Sequence, residues 1–398
     1  MDALTTPLPK DWEIKTFRDI STINQGLQIP ISQRLKAPIE HAKFYITIQA
    51  LNNRKEFEYI KTYNESVVCH KDDILMTRTG NTGMVITNIE GVFHNNFFKI
   101  NFDRTLINKD FLVYFLSLEQ TQKTILRKAG TSTIPDLNHN DFYSLSIPLP
   151  PLNEQIAIAN VLSDVDRYLY NLDALILKKE SVKKALSFEL LSQRKRLKGF
   201  NQAWQKVRLG TYKYRRGSFP QPYGNPQWYS DNGMPFVQVY DVGENFKLTQ
   251  KTKQKISKIA QPMSVFVPKN SVIITLQGTI GRVALTQYDC YCDRTILIFD
   301  NNTLNDVNKY FFVLSLFTKF EEEKRKADGS IIKTITKQTL KDFEILLPPL
   351  DEQIAIANIL SDLDSEIISL KNKKRQFENI KKALNHDLMS AKIRVLNK

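Results

Sequence analysis

Two stretches of this chain carry a hydrophobic pattern regular enough to predict their structure directly. Apolar residues recur at Leu162, Val165, Leu169, Leu172 and Ile176, then at Val182, Leu186 and Leu190. The second stretch has Leu360, Leu363, Ile367 and Leu370, then Phe377, Ile380, Leu384 and Leu388. Spacings of three and four put these side chains on one face of a helix. Sustained over this length, they predict a coiled-coil seam. Neither stretch contains Pro or Gly until Gly199 in the first and the C-terminus in the second. About 40 residues at a rise of about 1.5 Å each make rods of roughly 60 Å. Each rod follows a Pro-Pro-Leu, at 150–152 and 348–350, and proline suits a helix start because it has no N–H to donate. Asn153 and Asp351 are then the expected N-caps, with Glu154 and Glu352 in the first turn. One polar break interrupts each seam, around Lys179 and Lys374. Two rods with matching seams most simply pair with each other, and antiparallel pairing puts the segments that precede them at opposite ends.

Those preceding segments read differently. Short alternating runs such as Phe44-Tyr45-Ile46-Thr47-Ile48, Gly83-Met84-Val85-Ile86-Thr87 and Ser271-Val272-Ile273-Ile274-Thr275 predict strands. Phe111 to Leu118 and Tyr310 to Phe317 predict buried helices. The stretch from Gly217 to Pro226, rich in Gly and Pro, predicts a loop. The fold class is therefore α+β: two mixed domains at 1–150 and 199–349, joined by long helices at 151–198 and 350–398 that form an antiparallel coiled coil.

The same pattern is also written twice. Leu149 to Asp166 returns 198 residues later as Leu347 to Asp364, with only three of eighteen positions changed: Asn153 to Asp351, Val161 to Ile359 and Val165 to Leu363. At the same offset Lys183-Lys184-Ala185-Leu186 matches Lys381-Lys382-Ala383-Leu384, and Arg196 matches Arg394. Gly80-Asn81-Thr82-Gly83 meets Gly278-Thr279-Ile280-Gly281 more weakly. A long unit used twice is a duplicated half-molecule, not a solenoid of short repeats. Two similar halves suit a two-part target.

Composition narrows the classes. With 42% hydrophobic and 10% aromatic residues, the chain can bury real cores. Cys69, Cys290 and Cys292 are too few for a disulfide framework, and Cys290-Tyr291-Cys292 has no second ligand pair at zinc spacing. The N-terminus shows no basic stretch followed by an apolar one, so no signal peptide is expected. The longest apolar runs are too short to span a bilayer, which points to a cytoplasmic protein. The net charge of +14 fits a nucleic-acid partner and equally a soluble basic protein. It is unevenly placed. Residues 1–152 carry 17 Lys and Arg against 16 Asp and Glu, whereas residues 199–350 carry 21 against 13.

Catalytic signatures are missing. There is no dinucleotide fingerprint, no Walker A sequence and no Gly-x-Ser-x-Gly elbow. The Asn/Asp-Pro-Pro-aromatic tetrapeptide of amino-methyltransferases does not occur, because Leu follows both Pro-Pro pairs. None of the five His residues pairs with Cys or Glu at metal spacing. Carboxylate runs such as Asp72-Asp73 and Glu321-Glu322-Glu323 read as solvated surface. The chain reads as a binder, with neither a catalytic nor a metal site.

The strings Leu-Pro-Pro-Leu-x-Glu-Gln-x-x-Ile-Ala, at 149–159 and 347–357, and Gly-Thr-Ile-Gly-Arg-Val, at 278–283, resemble the specificity subunit of type I restriction–modification systems. Gly233 to Val242 also looks like that family, and the likeness runs over nearly the whole chain. The first half departs at Met84, which stands where Arg282 stands in the second. The resemblance implies two target-recognition domains, each reading one half of a bipartite, asymmetric DNA site. It implies helices that set the gap between half-sites and dock two modification subunits. Those subunits would carry S-adenosylmethionine and methylate adenine at N6. Restriction subunits using ATP and Mg can join them. The chain itself would hold no cofactor and catalyse nothing. A self-contained DNA methyltransferase or nuclease, or a coiled-coil scaffold with no DNA role, remain as alternatives.

In such a protein sequence is read by side chains on base edges, while contacts to phosphates position the protein. Polar loop residues are the candidates. In the first half they are Gln49, Asn52, Asn53, Arg54, Arg78, Asn81, Thr131, Ser132 and Thr133. In the second they are Arg215, Arg216, Gln221, Tyr223, Asn225, Gln227, Tyr229, Gln277, Arg282, Ser330, Lys333 and Thr334. Lys251, Lys253, Lys255 and Lys258 read as a phosphate-facing or solvated rim. Gly80, Gly83, Gly278 and Gly281 allow close approach to phosphates, but turn glycines between two strands are the plainer reading. Arg194-Lys195-Arg196 reads as favourable charge at a helix C-terminus.

Overall fold

All four residues of the strand Ile74–Thr77 are buried, and so are all four of Val272–Thr275. The reason is that each strand is covered on both faces. Ile74 and Met76 point into one apolar cluster, while Leu75 points into another. Val272 and Ile274 likewise join one cluster and Ile273 a second. Successive side chains of a strand point to opposite faces, so a strand between two cores becomes apolar throughout. The computed structural model describes residues 8–52, 57–130, 133–243, 245–277, 280–326 and 337–395. They form two units, one of residues 1–175 with 370–398 and the other of residues 176–369.

In the first unit an antiparallel pair, Glu13–Thr16 with Ser146–Leu149, closes the domain just before the first long helix. An antiparallel sheet runs in the order Ser21–Gln25, Phe97–Phe102, Ile74–Thr77, Val85–Ile86. A second sheet runs Tyr59–Ile60, Lys43–Ile46, Gly91–Phe93, Val68–Cys69, with its middle pair parallel. The helices Lys109–Leu116 and Glu119–Ala129 cover the first sheet through Phe111, Leu112, Phe115 and Ile125.

The second unit repeats this topology. Gln205–Arg208 pairs with Glu344–Leu347. The first sheet runs Tyr214–Arg216, Ile296–Phe299, Val272–Thr275, Val283–Leu285, and the second runs Gln254–Ile256, Tyr229–Val237, Cys290–Cys292, Val265–Val267. Here too the middle pair of the second sheet is parallel. The helix Lys309–Lys326 packs through Phe311, Phe312 and Leu316.

Two expected strands are shorter than their patterns. The strand over 44–48 stops at Ile46, because the Thr47 hydroxyl accepts from Ala50 N at 3.1 Å and turns the chain into the helix Ile48–Asn52. The run from Gly83 keeps only Val85–Ile86, since Gly83 has φ +88° and belongs to the turn.

The long helices are Leu152–Leu191 and Leu350–Met389. Asn153 and Asp351 are not their caps. Glu154 N and Gln155 N donate to Pro151 O at 2.9 and 3.0 Å, and Glu352 N and Gln353 N donate to Pro349 O at 3.0 Å each. The helix therefore begins one residue beyond the second proline, which lacks the donor a helix start leaves orphaned. Within each unit the two helix segments run antiparallel. In the first, Asp173 meets Lys374 at 2.7 Å and Asp166 meets Lys381 at 2.5 Å. In the second, Lys179 meets Glu366 at 2.8 Å and Lys183 pairs with Asp364. The polar breaks of the seam are thus filled by ion pairs. Val182 and Ile380 leave the seam and are exposed, their turns being held by the neighbouring Lys183 and Lys381.

The repeated Glu-Gln pair clamps each domain to its helices. Glu154 is almost fully buried. It accepts from Trp12 Nε1 at 3.1 Å and from Arg394 Nε and Nη2 at 2.6 Å each. Arg394 also reaches Asp11 at 3.0 Å. In the second unit Glu352 accepts from Trp204 Nε1 at 3.1 Å and from Arg196 Nε and Nη2 at 2.8 and 2.7 Å. Arg196 is therefore the half-buried partner of the buried Glu352 carboxylate, and helix-terminal charge does not describe its role. Gln155 and Gln353 each accept from a loop amide, Asn108 N and Asn308 N, at 2.9 Å. Each donates back to the carbonyl of the first proline, Pro150 O and Pro348 O, at 2.9 Å.

Candidate nucleic-acid interface

The turn after Ile74–Thr77 is built from within. Thr77 Oγ1 donates to Asn81 O at 2.6 Å and accepts from Met84 N at 2.9 Å, and Gly83 N donates to Thr77 O at 2.9 Å. The second unit makes the same turn from Thr275, which accepts Arg282 N at 3.0 Å on its hydroxyl and Gly281 N at 3.0 Å on its carbonyl. Gly83 and Gly281 both have positive φ, +88° and +77°. A Cβ on Gly281 would lie 3.1 Å from Phe320 Cβ. These glycines are required by the turn itself, so nothing in their geometry calls for a phosphate.

The first unit draws three candidate segments around this turn. A Cβ on Gly80 would lie 3.0 Å from Ile48 Cδ1, so the helix bearing Gln49 and Asn52 abuts the turn. On the other side Thr79 bridges to Asp136, Thr82 Oγ1 donates to Pro135 O at 2.7 Å, and Leu137 N donates to Arg78 O at 2.9 Å. Gln49, Asn52, Asn81 and Thr133 are exposed there. Arg78 sits among them with its fork committed, since Nε and Nη2 bind the Asp136 carboxylate at 2.9 and 2.7 Å. Asn53, Arg54, Thr131 and Ser132 lie outside the described residues.

The candidates of the second unit fall into two groups. Gln277, exposed, and Arg282, half-buried, belong to the turn; Arg282 Nη1 donates to Val242 O at 3.1 Å. Gly278, Thr279, Ser330, Lys333 and Thr334 lie outside the described residues. The second group is the Pro-rich loop, which packs on the other sheet through Phe219. The Phe219 ring lies 5.1 Å from Tyr223 and 5.5 Å from Tyr229. Tyr229 donates to Tyr223 O at 2.7 Å, and the Tyr223 hydroxyl donates to Asp293. Burial first, then that carboxylate, pushes the Tyr223 hydroxyl pKa up. Asn225 caps the following turn by accepting from Gln227 N at 3.0 Å. Tyr223, Asn225 and Tyr229 therefore hold the loop, while Gln221 and Gln227 are exposed on it. Arg215 and Arg216 stand exposed on the edge strand that leads into it.

Sequence reasoning missed several residues of this region. Tyr240 stands three residues past the parallel strand, the place that Gln49 takes in the first unit, and Gln238 stands where Thr47 does. Tyr240 is 47% exposed and lies under Lys253, whose Nζ is 5.1 Å from the ring centre. The segment is pinned by buried Asp241, which accepts from Gln238 N and Lys253 N at 2.9 and 3.0 Å. Loops of unequal length break the 198-residue offset here, so the repeat could not signal the match. Among the described residues no group of His, Cys, Asp and Glu could hold a metal ion, and no helix is long and apolar enough to cross a membrane.

Comparison with known proteins agrees with this geometry. The family model described as the type I restriction modification DNA specificity domain matches residues 9–180 and 221–379. The putative type I restriction enzyme MjaX specificity subunit of Methanocaldococcus jannaschii is 26% identical over 418 residues, covering 98% of this chain and 95% of its own. The MjaVIII specificity subunit of the same organism is 24% identical over 414 residues, with the same coverage of 98% and 95%. Among solved structures, the type I restriction-modification S subunit from M. genitalium gives a TM-score of 0.60 at 18% identity, covering 96% of this chain and 98% of that one. The HsdS subunit from Thermoanaerobacter tengcongensis gives 0.52 at 18% identity, covering 98% and 99%. These two likenesses concern the fold. The family match falls once on each half, on the two domains whose loops carry the candidate readers, and the chain belongs to the family of type I restriction–modification DNA specificity subunits.

Proposed function

We propose that this chain is the non-catalytic subunit that selects the DNA sequence for a type I restriction–modification complex. Target-recognition domains at 1–150 and 199–349 each read one half of a bipartite, asymmetric site in double-stranded DNA. Helices at 151–198 and 350–398 set the gap between half-sites and dock two modification subunits, which supply S-adenosylmethionine and methylate adenine at N6. Restriction subunits bring ATP and Mg. The complex works in the cytoplasm.

One observation carries this reading. The two units repeat the same topology, the same Glu–Arg–Trp clamp and the same turn, yet the side chains displayed around that turn differ. Gln49, Asn52, Asn81 and Thr133 are exposed around one; Tyr240 and Gln277 are exposed and Arg282 half-buried at the other. A repeated frame with divergent readers fits two different half-sites, because base identity is read by side chains on base edges.

The test is to express the chain with its modification subunit and map methylated adenines across the host genome. One gapped, asymmetric motif methylated in both halves is expected. Replacing residues 1–148 with the corresponding segment of a relative should change one half of that motif only. Transfer of labelled methyl groups by the purified chain alone, or a change in both halves on replacement, would contradict the reading.

A further inference from the structure

Residues 1–152 carry 17 Lys and Arg against 16 Asp and Glu, residues 199–350 carry 21 against 13, and strand register shows where part of the difference sits. Thr77 pairs with Phe97 in the first unit and Thr275 with Ile296 in the second, which makes Phe97 and Ile296 equivalent. Asn24 and Gln25 pair with Lys99 and Phe98, while Arg215 and Arg216 pair with Ile298 and Leu297. The edge-strand positions Thr22, Asn24 and Gln25 of the first unit are thus Lys213, Arg215 and Arg216 in the second. Two residues before the equivalent pair, Asn95 becomes Arg294. Four neutral side chains are replaced by four cations at one edge.

These four cations follow one edge of the sheet, with Arg216 on the opposite face of the strand from Lys213 and Arg215. Gly217, next to Arg216, donates to Ile296 O at 2.9 Å, so the edge strand ends beside the turn that bears Arg294. Lys213 and Arg215, two residues apart and hence on one face, line a cavity of about 570 Å³ together with Asn301 and Asp300. Asp300 spends a carboxylate oxygen on Asn302 N at 3.0 Å. All four cations are exposed. Among the described residues none of them has a carboxylate partner: Arg215 donates to the Phe266 carbonyl at 3.0 Å, and Arg294 stands 5.3 Å from the Tyr223 ring centre. The first unit neutralises several of its cations with nearby carboxylates. Arg34 and Lys36 meet Glu58 at 2.9 and 2.8 Å, Arg78 meets Asp136 at 2.7 Å, and Lys109 meets Asp72 at 3.4 Å.

We propose that Lys213, Arg215, Arg216 and Arg294 form a phosphate-gripping ridge by which the second unit supplies most of the sequence-independent hold on DNA, leaving the first unit to discriminate with little electrostatic grip. The inference rests on the DNA-reading function above. It assigns Arg215 and Arg216 to the DNA backbone and takes them out of the set of base readers. Exposed, unpaired cations fit this role, because each phosphate they neutralise releases counterions.

The experiment uses the full chain with its modification subunit. Duplex binding is measured by fluorescence anisotropy between about 50 and 200 mM salt, on cognate and on unrelated DNA. Each contact contributes about 0.9 to the slope of log affinity against log salt. The quadruple variant K213Q/R215Q/R216Q/R294Q should therefore flatten the slope by about three to four and weaken both DNAs by the same factor, with the methylated motif unchanged. The four single substitutions, each worth about 0.9, decide the matter if the quadruple variant does not fold. The mirror variant T22K/N24R/Q25R/N95R should steepen the slope. An unchanged slope in the quadruple and single variants, or a loss confined to cognate DNA, overturns the ridge. A wild-type complex that prefers no DNA sequence overturns the specificity reading, and leaves the slopes to judge the ridge.

Discussion

Glu154 and Glu352 are the residues on which each domain's attachment turns. Their carboxylates are buried and each receives an arginine fork and an indole N–H. Breaking such a pair strands the partner charge, and costs about 3 to 5 kcal/mol when both groups are buried. Arg394 is part-exposed and keeps Asp11, so Glu154→Ala should cost about 2 to 3 kcal/mol by urea unfolding. It should also lose additivity with Arg394→Ala. A cost below about 0.5 kcal/mol, typical of a surface substitution, would mean the clamp holds nothing. His94 makes a second residue-level prediction. Burial first, and the Arg34 charge second, depress its pKa, and its Nδ1 accepts from Asn96 N at 3.1 Å. The folded state therefore binds the proton less readily than the unfolded chain, whose histidine titrates near about 6.5. Stability is full above that pH and falls as the pH drops below it. The melting temperature should fall between about pH 7 and pH 5, and His94→Gln should shrink that fall. An equal fall in wild type and variant would remove His94 as the cause.

At the scale of the element, the seam and the strands show how far a pattern reaches. Leu162, Leu172 and Ile176 are buried as their spacing requires, as are Leu360, Ile367 and Leu388. Val182 and Ile380 obey the same spacing but are 44% and 50% exposed. Local periodicity cannot distinguish a seam position from one displaced by a lysine whose head pairs across the helices, as Lys183 does with Asp364 and Lys381 with Asp166. Leu162→Ala should therefore cost about 2 to 5 kcal/mol, whereas Val182→Ala should stay within about 0.5 kcal/mol. Chemical denaturation of the two variants separates them, and comparable losses would restore Val182 to the seam. The strand predicted over 44–48 failed for a similar reason. Its alternation is real, but the Thr47 hydroxyl captures Ala50 N and ends it.

At the scale of the whole molecule, the pairing register tells how the proposed gap-setting helices must be altered. Asp173 faces Lys374, so an insertion after Leu172 keeps its partners only if matched after Lys374; matching it after Leu370, as the sequence repeat suggests, would put the intervening turn out of register. Four residues lengthen a helix by about 6 Å and nearly preserve its face, and DNA rises about 3.4 Å per base pair. The paired insertion should widen the gap in the methylated motif by one to two base pairs, with both half-sites intact. Methylome sequencing reads the result, and an unchanged gap in an active variant would remove the helices from setting it.

The sequence alone determined the duplication, the two rods and the split into mixed domains, because periodicity and repetition are local and survive in one dimension. It also carried the resemblance to type I specificity subunits, through Pro-Pro-Leu-x-Glu-Gln. It did not reveal what those letters do. Glu154 looked like a first-turn acid until Arg394, 240 residues away, closed on it, and Arg196 looked like a helix-end charge until Glu352 did the same. The candidate readers divided likewise. Gln49, Asn81 and Thr133 are distant in sequence, and their segments adjoin one turn only because of the Thr79–Asp136 bridge and the approach of Ile48 to Gly80. Arg78 and Tyr223 have the composition of readers, yet tertiary contacts engage them within the protein, while Asn225 is spent on capping its own turn. A polar side chain in a loop is legible as polar; whether it faces a ligand or its own fold depends on partners that only the folded chain brings within hydrogen-bonding distance.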